Sequence, residues 1–493
     1  VTLIDEVRAL VGRSVERLSG TTAEPAIRSL GRRLDEPLRV AVAGRIKAGK
    51  STLLNALVGE VLAPTDAGEC TRIVSFYRDG PTYGVDLYPA GGGAPEPLRF
   101  VRGDRGLEID LAGRSPEQVG RLEVSVPSAR LRSMMLIDTP GIDSISRSIS
   151  TRTIEFLAPE REGVSEADAI VYLMRHVHDR DLRFLEAFHD DSIGYAVPAN
   201  SVGVLSRADE LGVCRPDALV AAGRVAARYG ADPRVRRLCQ TVVPVAGLLA
   251  QGAMSLTEHH VATLRGVVAM AEPDRKELLL SVDRFVDDDP DLPNSGHARR
   301  ELLEQIGLFG VRLGVDLLAN GSVRSGPELA SALSEASGIN DLRRLLLEQF
   351  GVRASALKAR STLDSLQWVL TQPGAENVSD LLAEAERIAA SAHELAEIRL
   401  LNALHAGLVN LPEPDLRRLE RLVGGGDSFQ RLGVDPTASP DQFRRAALGE
   451  LEVWQRRAED PLLDRSGRDA ARIAVRTCEG MVGSGHLDGR PGW

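Results

Sequence analysis

The chain has 493 residues, of which 43% are hydrophobic, 26% charged and 4% aromatic, with 70 acidic against 60 basic side chains and a formal net charge of −10. It is too long for one small core and implies two or three domains; the balance excludes extensive disorder and argues against a nucleic-acid partner, whose phosphates an acidic surface repels. No run of about 18 or more apolar residues occurs, which excludes a spanning helix on length and leaves only peripheral membrane contact.

Residues 1–36 carry apolar side chains such as Ile4, Val7, Leu10, Val11, Val15 and Leu18 at helical spacing, predicting an amphipathic helix pair that ends before Pro37. Next comes a short apolar strand, Leu38 to Ala43, and then Gly44-Arg45-Ile46-Lys47-Ala48-Gly49-Lys50-Ser51-Thr52. This run fits the G-x-x-x-x-G-K-[ST] phosphate loop at every fixed position, in the order strand, loop, helix. Gly44, Ala48, Gly49 and Thr52 then shape the backbone cradle, Lys50 brings a point charge to the β and γ oxygens, and Ser51 offers a hydroxyl to Mg²⁺. The chain has only the lysines Lys47, Lys50, Lys276 and Lys358, so a sequence that writes its positive charge as Arg keeps two lysines in this loop.

Strand-like runs continue at Val74 to Tyr77, Tyr83 to Tyr88, Leu122 to Val126, Met135 to Ile137, Ala169 to Met174, Val202 to Leu205 and Val242 to Val245, alternating with helical ones from residue 37 to about 338. That alternation predicts a mainly parallel sheet. Between Pro64 and Arg72, Thr71 is a candidate to complete a Mg²⁺ shell when a γ-phosphate is present. Asp138-Thr139-Pro140-Gly141 follows a strand, which suits a carboxylate for Mg²⁺ and a glycine N–H for the γ-phosphate. Ser206-Arg207-Ala208-Asp209 follows another. Asp209 there can accept from the N1 and exocyclic amine edge of guanine, with Arg207 flanking the base and Ala246 on the last loop against it. The four cysteines lack metal-ligand spacing and read as free thiols.

Beyond Gly338 the pattern is wholly helical. Two near-heptad stripes, Ile339 to Leu370 and Val378 to Val409, predict long helices of roughly 50 Å each, joined at Pro373-Gly374 into an antiparallel hairpin. Helices at about Pro414 to Leu422, Asp441 to Ala458 and Gly467 to Met481 pack on it, giving an elongated antiparallel helical bundle. The expected organisation is therefore N-terminal helices packing as a neck over 1–36, a P-loop GTPase head of α/β class over 37–338, and an all-α neck and stalk over 339–493.

The loop G-R-I-K-A-G-K-S, the threonine in G-E-C-T-R, D-T-P-G and S-R-A-D, followed by long helices, resemble a bacterial dynamin-like GTPase, similar to the isoniazid-inducible kind. The resemblance is motif-specific over roughly 38–250 and architectural beyond. It implies GTP/GDP and Mg²⁺ as ligands, GTP hydrolysis coupled to membrane fission or fusion, and a nucleotide-dependent homodimer or oligomer or a pairing with a second dynamin-like protein. It also implies a cytoplasmic location on the inner face of the cell membrane against anionic phospholipid. Ile46-Lys47 departs from the polar Gln-Ser pair that many relatives carry in the loop, so Lys47 is a candidate to supply catalytic charge near the β/γ bridge, beside Lys50, Thr71 and Gly141. Trp368, Arg417, Arg418 and Arg421 are candidates for lipid contact, with a salt-bridged bundle face as the competing account of the arginines. Alternatives to membrane remodelling are a soluble regulatory GTPase that binds RNA or protein, and a nucleotide-gated scaffold that does not hydrolyse.

Overall fold

All seven residues of strand β1, Leu38–Gly44, are buried, as a strand covered on both faces requires. The computed structural model describes residues 2–63, 73–103, 106–140, 166–175, 182, 200–289 and 292–483. The remaining strands are β2 Ser75–Asp79, β3 Gly84–Pro89, β4 Glu96–Pro97, β5 Phe100–Gly103, β6 Gly106–Ile109, β7 Val119–Val126, β8 Met134–Asp138, β9 Ala169–Met174, β10 Ser201–Ser206 and β11 Val242–Val245. All but β5 and β6 form one sheet in the order β11-β10-β9-β1-β8-β2-β7-β3-β4. β11, β10, β9, β1 and β8 run parallel, whereas β2 joins β8 antiparallel. Their carboxyl ends therefore share one edge, and β1 lies between β8 and β9, the strand-order reversal at which open α/β sheets bind ligands.

Each strand expected from the sequence is present, within a few residues at its ends. The β5–β6 hairpin was not expected: β5 runs half-buried to exposed, so its apolar periodicity is too weak to read.

The N-terminal helices, Leu3–Arg17 and Glu24–Asp35, pack on each other and on helix Ala354–Leu370, and the first also meets Ser379–Ser391. Their contact faces are the periodic ones: Val7, Leu10, Ile27 and Leu34 are at most 1% exposed. Below the sheet, a buried ionic cluster ties these helices to the head. The Arg33 guanidinium lies 3.3 Å from Asp168, which also accepts from the Arg39 backbone and the Ser361 hydroxyl. Helices Gly296–Ala319 and Gly326–Ala336 pack instead on the head helix Gly247–Met254.

The two long helices expected beyond Gly338 are each broken. The first divides into Ile339–Leu346 and Ala354–Leu370 around a π turn, Leu347–Gly351. At that break the Glu348 carbonyl accepts the Gly426 N–H, and buried Arg353 donates to the Val423 carbonyl, so a distant loop supplies the partners that the helix gives up. The second divides into Ser379–Ser391 and His393–His405 at Ala392, which is extended at φ −66°, ψ 123°. Arg399 takes up the freed Ala389 carbonyl at 2.7 Å. Neither break contains Pro, and heptad spacing carries on through both, so the stripe reads as continuous. Pro440–Ala458 and Arg465–Gly483 do form an antiparallel pair across a short connection.

Within the bundle, Glu397 joins three elements through Arg431 at 2.6 Å, the Thr477 hydroxyl at 2.6 Å and His393 at 3.5 Å. Burial pushes its carboxyl up, but the His393, Arg431 and Thr477 contacts outweigh that and hold it at about 2. A depressed carboxylate stabilises the fold above its unfolded pKa near 4.5, and that contribution disappears as pH falls towards about 2. Glu397→Gln is therefore expected to lower unfolding free energy by about 1–3 kcal/mol at pH 7, with the gap closing in urea titrations below pH 4.5. A gap constant with pH would contradict this account.

Candidate functional site

The phosphate loop leaves β1 at Gly44, whose φ is +149° and whose Cβ, if it had one, would lie 2.6 Å from the Leu173 carbonyl oxygen. Only glycine permits that approach. Lys47 is left-handed at φ 61° and Gly49 at φ 92°, a curvature that turns backbone N–H groups inward. Helix Lys50–Val58 begins directly afterwards, aiming its positive end at the loop. The Lys50 ammonium folds back to the Gly44 and Arg45 carbonyls at 3.2 and 3.3 Å, the place a phosphate oxygen would claim. Burial pushes its pKa down, and the Asp138 carboxylate partly restores it.

Asp138 ends β8 beside the loop. The Ser51 hydroxyl donates to its Oδ2 at 3.0 Å, and its Oδ1 is buried with no hydrogen-bond partner among the described residues. Burial raises its pKa, opposed by Lys50 and Ser51. A buried carboxylate oxygen without a partner, next to a hydroxyl, is a donor set that a hard, oxygen-seeking cation satisfies. Ser51 and Asp138 therefore fit Mg²⁺. The Thr139 hydroxyl is spent inward on the Val42 carbonyl at 2.9 Å, which locks β8 to β1. Thr71 and Gly141 lie outside the described residues.

Beside the phosphate loop lies a cleft that the residues after β10 also line. The cleft holds about 630 Å³ of empty space, part of it open to solvent, and is lined by Ala48, Gly49, Thr52, Arg207, Asp209 and Gly247 among others. Asp209 is 7% exposed, and burial raises its pKa; ligand N–H groups would stabilise its charged form. Arg207 is left-handed at φ 53°, donates to the Lys47 carbonyl at 3.2 Å and pairs with Glu210 at 2.8 Å. It thereby links the base-side turn to the phosphate loop. Ala246 is fully buried, and its N–H bonds the Ser337 carbonyl at 2.9 Å, which sets the last loop beneath the cleft. Ile46, 42% exposed, Lys47, Lys50, Ser51 and Asp138 are not among the cleft-lining residues; the loop meets the cleft through Ala48 and Gly49.

The last loop against the base was expected at Ala246-Gly247, and Gly247 does line this cleft; the sequence reading missed Leu248 and Glu210. It also missed the break at Gly307 in helix Gly296–Ala319, whose Cβ would lie 3.6 Å from Leu248 and 3.9 Å from the Asp209 carboxylate. Glycine inside an apolar helical run was the available signal, but Gly310 and Gly314 follow in the same helix, so the sequence does not single out Gly307 as the break.

The candidates for lipid contact lie away from this cleft. Arg418 and Arg421 each reach Glu450 at 3.1 Å, and Arg417 stands 4.0 Å from Glu413 with 70% of its side chain exposed. Trp368 is half-buried against the core. Among the described residues, no helix is long and apolar enough to cross a membrane.

A family model described as a 50S ribosome-binding GTPase matches residues 39–197. Isoniazid-induced protein IniC of Mycobacterium tuberculosis is 38% identical over 491 residues, 97% of this chain and 98% of that protein. A bacterial dynamin-like protein of Nostoc punctiforme is 34% identical over 115 residues, 21% of this chain and 17% of the relative. A solved bacterial dynamin pair, described as oligomerised, aligns over 97% of this chain and 90% of that one, at 11% identity and a TM-score of 0.33. With a near-full-length relative of this identity and a phosphate loop built as described, the chain belongs to the bacterial dynamin-like GTPases.

Proposed function

We propose that the chain binds GTP in this cleft, hydrolyses it to GDP and phosphate with Mg²⁺, and couples the cycle to membrane remodelling through its helical bundle. The observation that carries the catalytic part is that Lys50, Ser51 and the partnerless Asp138 oxygen gather at the phosphate loop, whose Ala48 and Gly49 line the same cleft as buried Asp209. In this reading the loop N–H groups and the start of helix Lys50–Val58 hold the phosphates, and Lys50 leaves the two carbonyls for the β and γ oxygens. When bound, Mg²⁺ would neutralise phosphate charge, held by Ser51, Asp138 and Thr71. Gly141 meets the γ-phosphate through its N–H. Lys47 adds positive charge at the β/γ bridge. Asp209 selects guanine. Positioning and electrostatics then account for catalysis without a covalent intermediate.

The divisions at 36 and 338 are proposed as the borders of neck, head and bundle. We place the protein in the cytoplasm, on the inner face of the cell membrane, as a nucleotide-dependent homodimer or oligomer or a partner of a second dynamin-like protein. Arg418 and Arg421 would have to leave Glu450 to meet lipid, so Arg417 is the arginine most available to an anionic headgroup.

The test is GTP turnover by the full chain with and without phosphatidylglycerol vesicles, with the same samples pelleted. Expected are GTP-specific turnover, faster on vesicles, and co-sedimentation that Arg417→Glu weakens while GTP affinity holds. Lys47→Ala with unchanged turnover would remove Lys47 from the catalytic set. Turnover without sedimentation on any vesicle composition would leave a soluble regulatory GTPase, and binding without turnover a nucleotide-gated scaffold.

A further inference from the structure

We infer that Arg312 is a positioning residue for nucleotide-base selection, holding the turn that carries Asp209 by its backbone. The inference rests on the reading of the cleft as a guanine site.

Asp209 stands in a single 3₁₀ turn, Ala208–Glu210, and the chain after it runs through three successive left-handed residues: Gly212 at φ 63°, Val213 at φ 62° and Cys214 at φ 57°. Glycine adopts this conformation freely, but a β-branched valine does not, and each such residue costs about 1–3 kcal/mol unless its surroundings enforce it. Packing of the Val213 side chain cannot be the enforcement, because it is 80% exposed. The backbone is held instead. Val213 N–H reaches the Glu210 carbonyl at 3.2 Å, and the Arg312 guanidinium donates to the Val213 and Cys214 carbonyls at 3.1 and 2.6 Å.

The rest of that guanidinium is anchored. Its Nε and Nη2 donate to the Leu279 carbonyl at 3.0 and 2.7 Å, and Nη2 also reaches Leu280 at 3.0 Å. These carbonyls end helix Glu272–Leu278, where a cation is favoured. One planar group thus clamps two segments, a task that the three donors of a lysine, spread about one nitrogen, cannot reproduce. Arg312 also belongs to the same helix, Gly296–Ala319, whose break at Gly307 abuts the Asp209 carboxylate and Leu248. The helix therefore meets this region twice, once through Gly307 at the carboxylate and once through Arg312 at the left-handed stretch that follows the Asp209 turn.

The experiment uses the full chain as wild type, Arg312→Ala, Arg312→Lys and the double variant Arg312→Ala with Val213→Gly. Affinities for GDP, IDP, ADP and inorganic pyrophosphate are measured by calorimetry. IDP lacks the exocyclic amine, so the GDP to IDP ratio reports how well Asp209 is placed, whereas pyrophosphate reports only the phosphate loop. Expected is a loss of about tenfold in that ratio for Arg312→Ala, an intermediate loss for Arg312→Lys, and an unchanged pyrophosphate affinity. Val213→Gly should restore part of the ratio, because glycine holds the turn without a clamp. If GDP, IDP and pyrophosphate weaken in parallel, the role of Arg312 is general stability and the inference fails; an unchanged ratio also overturns it. Should Arg312→Ala not fold, the Arg312→Lys ratio decides. A wild type that does not distinguish GDP from IDP or ADP removes the guanine reading itself, and the inference with it.

Discussion

Lys50→Met is expected to reduce GTP turnover by about 10²–10³-fold or more and to weaken GTP binding, while leaving the fold intact. The ammonium is held between the Gly44 and Arg45 carbonyls with Asp138 as its charged neighbour. A phosphate would replace two neutral acceptors with a multiply charged one, so the difference between bound and free states falls mainly on this group. Stability should behave differently. Burial lowers the Lys50 pKa, which means the fold already disfavours its charge, and methionine keeps the stem while removing that cost. A melting temperature at or above wild type, together with lost turnover, is the expected pair of results. Unchanged turnover would show that the loop does not act on phosphates as the geometry implies.

Asp209→Asn should exchange base preference. A carboxylate offers only acceptors, which match the N1–H and exocyclic amine of guanine. An amide offers one acceptor and one donor; its N–H would face the guanine amine, donor against donor, but would match the C2 carbonyl of xanthine. GTP affinity should fall roughly 10²-fold or more, since charge-assisted bonds are lost and a buried mismatch is created. XTP should then bind better than GTP, as competition against a fluorescent nucleotide would show. Because burial raises the pKa of Asp209, the neutral amide should not destabilise the empty protein. A variant that still preferred GTP over XTP would place the base elsewhere.

The two variants probe the phosphate loop and the base side of the cleft beside it, and these were not equally legible in the sequence. The phosphate end is largely local: Gly44 to Ser51 follow β1 directly, the loop's curvature is encoded in its own residues, and the long-range carboxylate partner, Asp138, announces itself at a strand end. The base end depends on elements far apart in the chain. Arg207 was expected to lie along the base, yet its donors go to Glu210 and the Lys47 carbonyl, a contact across 160 residues. Gly307 and Arg312 reach the Asp209 turn from a helix about 100 residues downstream, and neither belongs to a motif.

By itself the sequence determined the α/β head, eight of the eleven described strands, the phosphate loop, the carboxylates at or just after two strand ends and the helical character beyond Gly338, because periodicity and turn chemistry act between neighbours in the chain. Tertiary structure alone decided where the first long helix breaks, since the partners at Glu348 and Arg353 come from the loop near Gly426. It also decided that Arg418 and Arg421 meet Glu450, and that a kinked helix walls the base end of the cleft. In each case the contact, whether a hydrogen bond, an ion pair or a close approach, joins residues whose separation no local pattern records, and a buried polar group takes whichever partner the packed fold brings within reach.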